Sequence, residues 1–169
     1  MMPLYDNIST WFGCGRVTAM PGTIGSLASV VFMPIVMINS IYGIIISLVV
    51  LFLGFWSIPQ YLAHNSKIDD PKEVVIDEVL GQLIAFTLII LFIENNNKSI
   101  LQNKLNYISI FFISFILFRF FDIIKVWPIN IVDKNIKGAL GIMLDDIIAA
   151  IMSIVSYIIC YKFYHQYLG

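Results

Sequence analysis

The sequence predicts an all-α fold: one domain over residues 1–169, built as a compact multi-helix bundle and held in a membrane by four to five membrane-associated helices. Three observations carry this reading. The chain is 59% hydrophobic and only 12% charged, with a mean hydropathy of +0.88, whereas an ordinary soluble domain has about 45–50% apolar and about 25% charged residues. No Asp, Glu, Lys or Arg occurs between Val17 and Ser66. The remaining charge is gathered into short polar stretches that separate apolar runs, and a membrane span needs about 20 mostly apolar residues.

Residues 1–12 carry Asp6 and Trp11 and have no continuous apolar core, so no cleavable signal peptide is expected. The long uncharged stretch that follows has room for two helices, near 24–38 and 41–62, with "INSIY" (38–42) as the turn between them. "NSKIDDPKE" (65–73) reads as a polar loop. A third helix runs from about 75 to 93, where "ENNNK" (94–98) ends it, and a fourth from about 105 to 121. "WPINIVDKNIKG" (127–138) reads as a loop or short interfacial piece, and a fifth helix runs from about 142 to 163. The uncharged runs 79–93, 105–118 and 147–161 hold 15, 14 and 15 residues. Each reaches spanning length only if its flanking charged residues also lie on the helix, so a soluble bundle is the structural rival. Cys14 and Cys160 lack any CxxC or Cys/His metal spacing and read as two buried free thiols. A formal net charge of −1 argues against a nucleic-acid partner, which would need a basic face.

Five helices have two sets of ends. Arg16, Lys67, Lys72, Arg119, Lys125, Lys134 and Lys137 fall on the side of the amino terminus, and Lys98, Lys104 and Lys162 on the other. Seven against three places the amino terminus in the cytoplasm by the positive-inside bias. The acids separate further, since only Glu94 falls on the far side.

Four unusual stretches meet at the cytoplasmic surface. "VVIDEVLG" (74–81) opens the third helix with Asp77 and Glu78. "FRFFDIIKVWPI" (118–129) closes the fourth with Arg119, Asp122 and Lys125. "GIMLDDIIAAI" (141–151) sets Asp145 and Asp146 in an apolar run, and "MPGTIGS" (20–26) opens the first helix with a Pro-Gly turn. Each has a plainer explanation. Acids in a first turn complement the helix dipole, Arg119, Asp122 and Lys125 suit an i, i+3, i+6 ion-pair ladder, basic helix ends snorkel to headgroups, and Pro-Gly-Thr suits a helix start. The Asp145–Asp146 pair resists that treatment, because acids in or beside a membrane are functional candidates by default. Carboxylate pairs from two helices suit a hard divalent cation such as Mg²⁺. Arg119 and Lys125 then call for another anion, and a phosphate fits both. The backbone N–H groups after Pro21, around Gly22 and Thr23, form a second phosphate cradle. Together these describe metal-assisted phosphoryl transfer on a lipid headgroup. The sequence has no Cys-x5-Arg, no Asp-x-Asp pair, no CDP-alcohol phosphotransferase array and no Walker A loop, which leaves a carboxylate-metal phosphatase.

"GCGRVTAMPGTIGSLAS", "VVIDEVLGQLIA", "FRFFDIIKVWPI" and "GALGIMLDDIIAAI" resemble, in order and spacing, the four signature blocks of the phosphatidylglycerophosphatase A family, over about residues 13–150. The resemblance implies a Mg²⁺-dependent enzyme of the bacterial inner membrane that converts phosphatidylglycerophosphate to phosphatidylglycerol, on a compact helical bundle. It places the family's Asp-Glu on Asp77 and Glu78, its Asp-Asp on Asp145 and Asp146, its Arg…Asp…Lys block on Arg119, Asp122 and Lys125, and its Pro-Gly-Thr on Pro21, Gly22 and Thr23. The family has Lys-Pro-Trp-Pro where this chain has "KVWP", so Val126 removes a backbone stiffener just after Lys125.

The expected assignment follows: Asp77, Glu78, Asp145 and Asp146 for metal; Arg119, Lys125, Gly22 and Thr23 for the substrate phosphate; Asp145, Asp122 and Lys125 for catalysis. Asp122 serves as a further ligand or orients a base. The attacking group is a metal-activated water or the Asp145 carboxylate. Rival readings are a phosphatase of another lipid such as phosphatidic acid, a small cation transporter, and a non-catalytic membrane-assembly protein. Oligomeric state is not legible.

Overall fold

The computed structural model describes residues 3–17, 19–65 and 71–167, and no strand occurs among them. The helices are α1 (Leu4–Ser9), α2 (Pro21–Ala28), α3 (Met33–Ile38), α4 (Ser40–Asn65), α5 (Ile76–Asn96), α6 (Lys104–Ile124), α7 (Ile129–Asn135) and α8 (Gly138–Tyr167), with 3-10 turns at Cys14–Arg16, Ser29–Phe32 and Lys98–Gln102. Five segments are long and apolar enough to cross a membrane: Pro21–Ile38, Ser40–His64, Ile76–Asn96, Lys104–Ile124 and Gly138–Tyr167.

The expected elements are present, with shifted bounds. The first span is not one smooth helix but α2 and α3 joined by the 3-10 turn. Pro34 explains the break, because it lacks the N–H that would bond back to Val30 and its ring crowds that carbonyl. The turn before α4 centres on Asn39, which is extended and whose Oδ1 accepts a hydrogen bond from the Ile41 N–H at 2.8 Å. Both α5 and α6 reach 21 residues because Asp77, Glu78, Glu94, Lys104, Arg119 and Asp122 lie on them. The segment 127–138 holds the short α7. Gly138, at φ +69, starts α8 four residues before the expected point. The expected polar loop at 65–73 falls largely on residues 66–70, which lie outside the described residues.

The bundle is organised around α5. Its most apolar window is 72% buried, against 28–44% for the other four, because α2, α4, α6 and α8 all pack on it. Deep in the bundle Gln82 Nε2 donates to Ser114 Oγ at 2.9 Å, tying α5 to α6, as polar side chains do between membrane helices. At the far end of the spans Ser40 donates to Glu94, so the one acid there is paired.

The amino-terminal segment braces the start of α5. Arg16 makes a two-pronged ion pair with the buried Asp6, at 2.6 and 3.1 Å. That hydrogen bond, with another to Tyr61, raises the Arg16 pKa further above its ordinary value. The Val75 N–H donates to the Ser9 carbonyl at 2.9 Å. Both cysteines are free, but the expectation that they are buried fails: Cys14 is half-buried and Cys160 is exposed. Cys160 lies on an outward face of α8, where the bundle surface is itself apolar.

Gly81 sets how closely α5 meets its neighbours. A Cβ there would lie 2.5 Å from the fully buried Phe118 ring and 3.2 Å from the Asp146 Cβ. Gly81→Ala gains up to about 1 kcal/mol of helix propensity but overpacks a closed site at a cost of about 1–3 kcal/mol. The expected result is a lower thermal unfolding midpoint in detergent; a midpoint at or above wild type would show that Phe118 yields without cost.

Candidate active site

Four helix ends meet in one cavity of about 330 Å³. Its walls carry every residue singled out from the sequence: Gly22 and Thr23 from α2, Asp77 and Glu78 from the first turn of α5, Arg119 and Asp122 from the last turns of α6, Lys125 from the cap of α6, and Asp145 and Asp146 from α8. The early start of α8 at Gly138 sets the Asp pair two turns inside that helix, where it is buried against α5.

Asp77, Glu78 and Asp146 form one group, with an oxygen of each within 4.8 Å of the others. Glu78 Oε2 and Asp146 Oδ2 are buried and have no hydrogen-bond partner among the described residues. Buried carboxylate oxygens are costly without a compensating charge. A hard cation takes oxygen ligands at about 2.0–2.6 Å, and three oxygens at this separation fit around one. The donor set therefore suits a divalent cation, and Asp77, Glu78 and Asp146 are the residues that would hold it.

The structure places Asp145 beside this group but engaged elsewhere. Its Oδ2 accepts from Lys125 Nζ at 2.8 Å and its Oδ1 from the Asp146 N–H at 3.1 Å. Lys125 also pairs with Asp133. Burial lowers the Lys125 pKa, but the hydrogen bonds and charges of Asp133 and Asp145 outweigh it, so the ammonium is held above the ordinary lysine value. Lys125 ends α6 in the left-handed region, at φ 48 and ψ 51. A non-glycine residue there costs about 1–2 kcal/mol, which two ion pairs can offset. Asp122 holds Arg119 through Nη1, and the Arg119 Nε is buried without an acceptor among the described residues.

At α2, Pro21 occupies the first turn and, among the described residues, no side chain caps the helix start, so its first N–H groups can face an anion. Gly22 allows a close approach, since a Cβ there would displace Glu78 Oε1 and lie 3.1 Å from Arg119 Nη1. Sequence reasoning assigned no role to Asp133 or to Lys72, an exposed residue lining the same cavity. The only signal for Asp133 was an acid one short helix from Lys125, and for Lys72 a base five residues before Asp77.

Residues 7–161 match the model of the family described as Phosphatidylglycerophosphatase A. The chain is 32% identical over 150 residues to the Phosphatidylglycerophosphatase A of Escherichia coli (strain K12), covering 86% of this chain and 77% of that protein. It is 32% identical over 152 residues to the protein of the same name from Haemophilus influenzae, covering 88% and 83%. It is 30% identical over 154 residues to a Bacteroides thetaiotaomicron protein provisionally named phosphatidylinositol-3-phosphatase, covering 88% and 87%. No solved structure matches the chain.

The crowding of Asp77, Glu78 and Asp146 gives a stability test that needs no substrate. In EDTA, Asp146→Asn relieves like-charge repulsion and raises the thermal midpoint. With Mg²⁺ at about 100 times its dissociation constant, wild type gains about 2.7 kcal/mol and the variant gains little. Thermal shifts in detergent check both arms, and an equal Mg²⁺ shift in the two proteins would remove Asp146 from the metal site.

Proposed function

The chain belongs to the phosphatidylglycerophosphatase A family, and we propose that it releases the terminal phosphate of phosphatidylglycerophosphate in a Mg²⁺-dependent reaction at the cytoplasmic face of a bacterial inner membrane. The single observation that carries this reading is one cavity in which a buried carboxylate triad faces Arg119, Lys125 and an uncapped helix start. Two relatives carry the name of that activity. Five spanning-length segments and the seven-to-three bias of basic residues support the membrane and its cytoplasmic face.

In the reaction, water adds to phosphorus and the bond from phosphorus to the headgroup oxygen breaks, giving phosphatidylglycerol and inorganic phosphate. A divalent cation held by Asp77, Glu78 and Asp146 would supply Lewis-acid chemistry, neutralising charge on the phosphoryl oxygens and making water more acidic. Arg119, aimed by Asp122, offers its unpaired Nε and remaining N–H groups to the phosphate. Lys125, paired with Asp133 and Asp145, brings a positive charge to the anionic oxygens, and the departing headgroup oxygen takes up a proton as it leaves. The N–H groups of Gly22 and Thr23 add donors at the end of α2. Water is the attacking group in this reading: both Asp145 oxygens already accept hydrogen bonds, which makes Asp145 the residue that aims Lys125. Asp122, outside the triad and bonded to Arg119 through one oxygen, is our choice of carboxylate to take the proton of the attacking water with its other oxygen.

Purified protein with phosphatidylglycerophosphate and Mg²⁺ is expected to release phosphate, and EDTA or Asp146→Asn to abolish release. Arg119→Gln should lower kcat by about 10²–10³-fold, the usual cost of losing a donor to a developing anion. Phosphate release from phosphatidic acid or a phosphoinositide, with none from phosphatidylglycerophosphate, would overturn the substrate. With a phosphate made chiral by oxygen isotopes, inversion of configuration at phosphorus is expected for direct water attack; net retention would restore the Asp145 carboxylate as nucleophile.

A further inference from the structure

Two residues that line the catalytic cavity also stand among the most exposed apolar side chains of the protein: Met20, 63% exposed, and Ile123, 65% exposed. Both lie at one level of the membrane. Met20 immediately precedes the span Pro21–Ile38, and Ile123 is the next-to-last residue of the span Lys104–Ile124. With five spans in series, these two ends fall on the same side. The walls that carry them, α2 and α6, each pack on α5 but touch one another only sparsely, so the seam between them is not closed by packing. Val17 flanks Met20, and Phe120, Ile124 and Trp127 flank Ile123, all of them exposed. A phosphate site that opened only to water would not need an apolar lip on both sides, and such a contiguous patch marks a membrane or binding surface.

We propose that the cavity opens sideways into the bilayer between α2 and α6, and that Met20 and Ile123 form the lip over which the glycerol backbone and first acyl carbons of a phospholipid lie. This rests on the phosphatase reading for the placement of the phosphate, which sits inward among Arg119, Lys125 and the α2 start. The occupant is one diacyl phospholipid. Its headgroup reaches a buried acidic centre without the acyl chains leaving hydrocarbon, because the lip stands at the level where hydrocarbon meets headgroup. The lip selects for an attached diacylglycerol unit independently of the phosphate clamp.

The test compares kcat/KM for long-chain phosphatidylglycerophosphate in mixed micelles with kcat/KM for its water-soluble headgroup, glycerophosphoglycerophosphate. The double variant Met20→Ser, Ile123→Ser is expected to lower the long-chain to headgroup ratio by about tenfold, the effect of losing a fraction of the burial of two apolar side chains. Phe52→Ser, which removes a 73% exposed apolar side chain from α4, should hold the ratio at the wild-type value. An unchanged ratio in the double variant, or an equal fall with Phe52→Ser, overturns the lip. A second measurement does not require turnover. Phosphatidylglycerophosphate with a diazirine on the first acyl carbons is irradiated with the protein in bilayers, and the labelled peptides are mapped. Label at Met20 and Ile123 that excess glycerophosphoglycerophosphate suppresses is expected. Label spread evenly over α4 and α6, indifferent to the competitor, overturns the lip even if the protein hydrolyses the lipid. Absence of hydrolysis with competed label at the two residues would overturn the proposed reaction and leave the lip standing.

Discussion

Everything in this protein is arranged around the cost of burying carboxylates where apolar helices meet the membrane surface. Asp77, Glu78 and Asp146 lie close enough to repel, in surroundings that offer little solvation. Such a group is tolerable when a cation completes it or protons neutralise part of it. The most buried helix, α5, supplies two of the three acids in its first turn, and α8 supplies the third two turns in. Because α2, α4, α6 and α8 all pack on α5, its two acids are held facing the cavity and Asp146.

The cations of the site are held differently, and the difference divides their roles. Arg119 is oriented by Asp122 on the same helix face, three residues on, and keeps a buried donor unused. Lys125 sits where α6 has already ended, in a left-handed conformation that lysine adopts at a cost. Its two carboxylate partners come from α7 and α8. Lys125 thus joins three elements across the floor of the cavity, and its left-handed conformation suits the Val126 that follows it, since a proline there would push Lys125 towards extended backbone.

Glycine explains how a helix start comes so near this centre. Gly22 lets α2 approach the ends of the Glu78 and Arg119 side chains so closely that a Cβ there would displace the Glu78 carboxylate, and Gly81 lets α5 meet the Phe118 ring of α6 and Asp146. The consequence is a cavity whose inner wall is ionic and whose outer lip is apolar, a polarity gradient matching that of a phospholipid from phosphate to acyl chain.

The sequence by itself determined the helical class, the five apolar segments and most of the charged residues that line the cavity, though not Lys72. Apolar run length and charge exclusion are local properties, and acids inside apolar runs stand out without any structure. It also pointed to the short interfacial piece that became α7. It could not place the break in the first span at Ser29–Phe32, the start of α8 at Gly138, or the exposure of Cys160, because those depend on backbone conformation and on which helix face meets a neighbour. Nor could it divide the acids. Asp145 and Asp146 are adjacent in the chain, yet a helix turns adjacent residues about 100° apart. One therefore faces Asp77 and Glu78 while the other faces Lys125, and only the packing of α8 against α5 and α6 decided which.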